Sequence, residues 1–121
     1  MSKFVIREVP SGIKFDLRAG NGQVIATSEV YAAKSVCLKG VSSVRKNAAI
    51  AKFEDQTEDG FRSVTNPKFE LYRDRAGEFR FRLKARNGEI IATSEGYTSK
   101  AACENGIESV RKNAPQAEIV E

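Results

Sequence analysis

The 121-residue chain contains no histidine, no tryptophan, two cysteines, three prolines and one methionine. Each scarcity closes a class of function. Without histidine there is no serine–histidine triad, no imidazole acid–base chemistry and no histidine-ligated metal site. Cys37 and Cys103 stand 66 residues apart and cannot supply a four-thiolate zinc site within one chain. No phosphate-cradling loop of the GxxxxGK[ST] or GxGxxG kind is present. No catalytic residue, metal ligand or cofactor is therefore expected; the usual enzymatic toolkits are missing, although that does not exclude an enzyme of another kind. No apolar run approaches the roughly 20 residues of a membrane span. The opening "MSKFVIREVPSG" has no apolar stretch behind its lysine, so no secretory signal or membrane contact is expected, and the cytoplasm is the default compartment.

What is present describes one folded domain. Hydrophobic residues make up 40% and charged residues 30%, enough to build a core and unlike a disordered composition. The net charge is +4, divided evenly as +2 in each half, too little by itself to announce a nucleic-acid binder. The dominant feature is an internal duplication. "NGQVIATSEVYAAKSVCLKGVSSVRKNA" from Asn21 returns as "NGEIIATSEGYTSKAACENGIESVRKNA" from Asn87. Aligned without a gap from Phe15 and Phe81 to Ala48 and Ala114, 20 of 34 positions are identical. With only two copies at so long a spacing, this is a duplicated supersecondary unit rather than a solenoid. The expected organisation is a first repeat at 1–55, a linker at 56–66 and a second repeat at 67–121, together one structural domain.

The patterning predicts the content of each repeat. "KFELYRD" and "EFRFRLKAR" alternate apolar and polar residues, the period of half-buried strands, and "DRAG" between them suits a hairpin with Gly77 left-handed. Asn21-Gly22 and Asn87-Gly88 predict type I′ turns into a third strand. A helix follows, over 99–112 with Thr98 as its cap and Asn113-x-Pro115 as its stop, and over about 32–46 without a Ser/Thr cap in the first copy. "AIAKFED" and "QAEIVE" read as a fourth strand. Phe15/Phe81, Leu17/Leu83 and Ala26/Ala92 are expected on the inner sheet face, and Cys37/Cys103, Val41/Ile107 and Val44/Val110 on the helix face. Buried there, the cysteines are packing residues rather than redox thiols. Gly40 and Gly106, inside helices at a cost of about 1 kcal/mol each against Ala, predict a close approach of helix to sheet or to its twin.

The pattern NGxxIATSExYxxK…GIxSVRKNA, carried by "GEFRFRLKARNGEIIATSEGYTSKAACENGIESVRKNA" and repeated in the first copy, resembles the YegP-like family of small bacterial proteins of uncharacterised function. The resemblance spans nearly the whole chain, with "EVYAAK" departing from "EGYTSK" at the first helix start. It implies an α+β fold of two β-β-β-α-β repeats related by a pseudo-two-fold. They would form one mostly antiparallel sheet with exchanged last strands and both helices on one face. Single-repeat members would reach the same assembly as homodimers, and this tandem chain would be a monomeric pseudo-dimer. The resemblance implies no activity.

Two residue sets are candidates for function. Ser28, Glu29, Tyr31 and Lys34, with Ser94, Glu95, Tyr97 and Lys100, form a shared polar cluster at each helix entrance, suited to a small ligand or to an enzyme of a new kind. The plainer reading makes Glu a helix-dipole partner, Tyr a hydrophobic staple and Lys a surface charge, and it is preferred. The second set is a basic row on the outer sheet face: Lys14 and Arg18 in the first repeat, Arg80, Arg82, Lys84 and Arg86 in the second. Cross-strand pairs Glu70–Arg80 and Arg86–Glu89 would partly neutralise it. Nucleic-acid readers of this shape stack bases on exposed aromatics, and only Tyr72 qualifies. The preferred reading is a non-enzymatic interaction module using this face, with an acidic protein or, less favoured, nucleic acid as partner.

Overall fold

A computed structural model describes all residues, 1–121. Each repeat begins with a three-stranded meander: β1 (Lys3–Val9), β2 (Gly12–Arg18) and β3 (Val24–Thr27) in the first, β5 (Lys68–Arg73), β6 (Phe79–Lys84) and β7 (Ile90–Thr93) in the second. A helix follows each meander, α1 (Lys34–Ala48) or α2 (Lys100–Asn113), and a short last strand follows each helix, β4 (Lys52–Asp55) or β8 (Glu118–Val120). A 3₁₀ turn, Ala114–Gln116 with Pro115 inside it, leads into β8. The eight strands form one sheet in the order β4-β5-β6-β7-β3-β2-β1-β8. The last strands are thus exchanged. β4 of the first repeat runs parallel to β5 of the second, β8 of the second parallel to β1 of the first, and all other pairings are antiparallel. The two meanders meet at β3 and β7 through one residue pair, Thr27 opposite Thr93, which marks the pseudo-two-fold. Neither helix is long and apolar enough to cross a membrane.

Both helices lie on one face, and the residues expected between helix and sheet are there: Phe15, Leu17, Ala26, Cys37, Val41 and Val44, with their six counterparts, are all buried. Burying a Phe or Leu side chain contributes about 2 kcal/mol, so this layer is the main stabilising term. Phe4 and Phe69 meet Phe15 and Phe81 edge to face at 5.6 and 5.9 Å, a favoured aromatic geometry.

Shared basic residues hold the exchanged strands. Arg45 stacks over Phe4 and donates to the Ala117 carbonyl, just before β8. Its counterpart Arg111 stacks over Phe69 and donates to the Ala48 carbonyl, near the start of β4. Lys34 pairs with Glu121 after β8, and Lys100 pairs with Asp55 of β4 at 2.6 Å. Each helix therefore ties down the last strand of the other repeat. A repeat of about 60 residues buries too little surface to be robust alone, and here the exchange completes each half.

Several local expectations are corrected. The Asn-Gly turns are not type I′, because Asn21 and Asn87 lack the positive φ it requires; within these turns the positive φ falls on Gly22 and Gly88, at 86° and 87°. Gly22 N–H donates to Ala19 and Gly88 N–H to Ala85, giving three-residue loops. The asparagine side chains close these loops by accepting from Gln23 N–H and Glu89 N–H, an Asx turn that holds Asn at negative φ. The α2 cap is Ser99, not Thr98; its hydroxyl accepts from Ala102 N–H. The α1 cap, Ala33, makes no side-chain bond, as the missing Ser/Thr foretold.

Candidate functional site

The helix-entrance residues are largely occupied by the fold. Ser28 and Ser94 are buried; their hydroxyls accept from Phe15 N–H and Phe81 N–H at 2.9 Å and donate to the Glu29 and Glu95 carbonyls. They satisfy strand N–H groups just past the ends of β3 and β7, where the ladder stops. Tyr31 and Tyr97 are not helix staples. Each stacks on the phenylalanine of its own β2 or β6, ring centroids 6.4 Å apart. Each hydroxyl also lies where a Cβ on Gly40 or Gly106 would stand, 2.6 and 2.5 Å away. The glycines are thus set by a tyrosine and a sheet phenylalanine, not by the twin helix. Burial raises both tyrosine pKa values. Lys100 bridges Asp55 and Glu58, whose hydrogen bonds raise its pKa. Glu29 and Glu95 are exposed and precede the helices; neither helix has an acidic residue in its first turn, so a dipole role does not apply. Cys37 and Cys103 are free and buried; burial pushes the Cys103 thiol up to about 12 and raises Cys37 as well.

The outer face differs between the repeats. In the second repeat nearly every cation is paired. Lys68 lies between Glu54 and Glu70 at 2.8 and 3.1 Å; Arg82 meets Glu70 at 2.6 Å and Lys84 meets it at 3.4 Å. Glu54, Lys68 and Glu70 are themselves buried, at 2%, 7% and 3% exposure. Part of that cover is the linker, whose Val64 N–H donates to Glu54 while Lys52 reaches Thr65. Burial opposes ionisation of Glu54, but hydrogen bonds from Lys68, Gln56 and Val64 outweigh it and hold the carboxyl at about 2. Glu70 is likewise lowered, burial being outweighed by Arg82 and Lys68. The expected pair Glu70–Arg80 does not form, since the register sets Glu70 against Arg82. Arg80 instead binds Asp74 at 2.6 Å and the Ser94 carbonyl. Arg86 does not extend the row or pair with Glu89: β6 ends at Lys84, and Arg86 sits in the loop beyond, beside Lys46 and Asn47 at the end of α1. Tyr72 is half-buried with the Arg82 guanidinium 4.3 Å over its ring.

In the first repeat the same positions carry other residues. Val5 and Val120 stand where the second repeat has Glu70 and Glu54, and Arg7 and Asp16 stand where it has Tyr72 and Arg82. Arg7 binds Asp16 at 2.8 Å, and Thr27 donates to the same carboxylate at 2.7 Å. Lys3, Lys14 and Arg18 make no ion pair; Arg18 bonds only the Gly22 carbonyl, and its Nε is buried without a partner. A cleft of about 330 Å³ opens beside the pseudo-two-fold, where β3 and β7 part beyond Thr27 and Thr93. Arg7 and Lys14 form one side of it, Arg80 and Glu95 the other. Sequence reasoning missed Arg7 and Thr93 as partners at this seam, because only the β3–β7 pairing brings the two repeats together there. No group of three acidic or thiol side chains is placed to hold a metal ion.

The family model described as a domain of unknown function, DUF1508, matches twice, over residues 12–55 and 74–121, one match per repeat. A UPF0339 protein from Stutzerimonas stutzeri is 41% identical over 108 residues, covering 89% of this chain and 84% of that protein. A UPF0339 protein, YegP, from Yersinia pestis is 34% identical over 114 residues, covering 93% and 88%. A UPF0339 protein from Treponema denticola is 67% identical over 54 residues, 45% of this chain but 93% of its own length, and so amounts to one repeat. Among solved structures, a UPF0339 protein from Shewanella oneidensis superposes with a TM-score of 0.80 at 33% identity, covering 98% of this chain and 89% of that one. YegP from E. coli, a protein of unknown function, gives 0.79 at 32%, covering 98% and 90%. The resemblance drawn from the repeated motif and the fold it implied are both borne out: this chain belongs to the DUF1508 family, as a tandem-repeat member alongside the UPF0339 and YegP proteins.

Proposed function

We propose that the protein is a non-enzymatic binding module that docks an acidic protein segment on the outer sheet face of its first repeat. The observation that carries this reading is the set of unpaired cations Lys3, Lys14 and Arg18, against a second repeat whose equivalents Lys68, Arg80 and Lys84 are held by Glu54, Asp74 and Glu70. Charges already paired and buried have little left to offer a partner, whereas unpaired cations on an open sheet steer and retain an acidic one. Nucleic acid is the weaker partner, since the outer-face aromatic, Tyr72, is capped by Arg82 and gives no stacking platform. The expected setting is the cytoplasm and the expected state a monomer, the two repeats supplying each other's last strands.

Titrating the ¹⁵N-labelled chain with a polyglutamate peptide at low salt tests this. Amide shifts concentrated over residues 3–18 are expected. Shifts spread equally over both repeats, or their absence, would reject the assignment, and stronger binding of a single-stranded oligonucleotide would replace the protein partner with nucleic acid.

A further inference from the structure

We propose that the cleft at the pseudo-two-fold is a site for a small zwitterion, a molecule carrying one carboxylate and one ammonium group in the manner of an α-amino acid. This goes beyond the docking face, with which it shares only Lys14. The cleft, about 330 Å³, lies at the small end of the range of ligand pockets and suits a ligand of amino-acid size. Most of its charges are spoken for: Arg7 is bound to Asp16, and Arg80 to Asp74 and the Ser94 carbonyl. Two are not. Lys14 on one wall and Glu95 on the other line the same hollow, have opposite signs and pair neither with each other nor with any neighbour.

Two unmatched opposite charges lining one cleft fit a ligand that brings one charge of each sign. The ligand carboxylate meets Lys14, supported by the outward N–H groups of Arg7, and the ligand ammonium meets Glu95. A simple anion would satisfy Lys14 but leave Glu95 facing it; a simple cation would do the reverse. The Thr93 hydroxyl, which has no partner in the fold, adds a polar contact, and Val24 provides an apolar wall for a small aliphatic side chain. The duplication supplies an internal contrast. At the mirror-related position Tyr72 and Arg82 replace Arg7 and Asp16, and their stack at 4.3 Å takes up the corresponding space. The seam thus presents this charge arrangement on one side only.

The test uses the full chain and three probes at moderate salt: L-valine, 3-methylbutanoate, which lacks the ammonium, and isobutylamine, which lacks the carboxylate. Saturable amide shifts confined to the cleft, at Arg7, Lys14, Val24–Thr27 and Thr93–Glu95, are expected with L-valine. Each half-molecule should bind about tenfold more weakly, as should L-valine to Lys14→Gln or Glu95→Gln, since one charged hydrogen bond is lost in each case. Both side chains are unpaired, so these variants retain the fold, which unchanged thermal unfolding verifies. Lys3→Gln/Arg18→Gln should bind L-valine normally while binding polyglutamate about tenfold more weakly, which separates this site from the docking face. No saturable shift with L-valine overturns the proposal. Equal binding of 3-methylbutanoate overturns it too, by showing a plain anion site.

Discussion

The first and second repeats share a backbone and a helix–sheet core, yet their outer faces have taken opposite courses. In the second, Glu54 and Glu70 gather Lys68, Arg82 and Lys84 into a buried ionic cluster under the linker. In the first, Val5 and Val120 occupy the equivalent positions, and Lys3 and Arg18 are left without carboxylates. The inner face is held nearly constant because both repeats must bury the same helix. The outer face is free to diverge, so divergence there separates a structural surface from an available one. A basic row is therefore not a binding site by count alone; what matters is how many of its charges already have partners.

The largest expected effect comes from breaking the cluster. Glu70→Gln leaves Arg82 and Lys84 without their carboxylate in a half-buried setting and should cost about 3 kcal/mol in urea unfolding. In the first repeat Asp16→Asn, which releases the more exposed Arg7, should cost about 1 kcal/mol. Equal costs would erase the contrast. Acid is the second probe. Glu54 titrates at about 2 when folded against 4.5 ordinarily. Its contribution is thus complete above about pH 4.5 and is lost as pH falls towards 2. Glu54→Gln should flatten that part of the stability–pH curve, and an unchanged curve would show that the cluster is not the acid-sensitive element.

Where the repeats agree, substitutions should agree. Gly106→Ala and Gly40→Ala gain about 1 kcal/mol of helix propensity. Each places a methyl group against a tyrosine hydroxyl at 2.5–2.6 Å and a phenylalanine ring at 3.0–3.1 Å. Overpacking costs about 1–3 kcal/mol, so both variants should be destabilised by a similar net amount of about 1 kcal/mol. Differential scanning calorimetry checks this, and a marked difference between them would show that the helix–sheet layers are not equivalent. The smallest stability effect is expected from Val120→Glu, which gives the exposed edge of the first face a carboxylate at the position of Glu54. Exposed pairs are worth under about 1 kcal/mol, so melting should barely move while polyglutamate binding weakens. Loss of stability without loss of binding would contradict the comparison.

The inner architecture was legible because burial writes a period into the sequence: Phe15, Leu17 and their twins alternate along the strands, and Cys37, Val41 and Val44 recur along the helix. The repeated motif supplied the strand exchange. The tasks of the shared polar residues were not legible. Ser28 needs a strand N–H from thirteen residues away, Tyr31 a helix glycine, and Lys100 a carboxylate on the other repeat's last strand. Each is a tertiary pairing with no local signal. The Asn-Gly turns misled because Asn at negative φ with an Asx bond competes with type I′ geometry. The outer face was misjudged through register. Strand alternation placed Arg80, Arg82 and Lys84 together, but which carboxylate faces which cation depends on the β5–β6 alignment and on Glu54, brought in by the exchanged strand.

The most direct measurement compares two variants that each lose two positive charges, Lys3→Gln/Arg18→Gln on the first face and Arg82→Gln/Lys84→Gln, both already paired with Glu70, on the second. Affinity for polyglutamate at low salt is read by fluorescence anisotropy. The first pair should weaken binding about tenfold, the sum of two exposed charge contacts, and the second should leave it nearly unchanged. Equal weakening by both pairs would mean that net charge alone governs binding, and would contradict the claim that the first repeat carries the docking face.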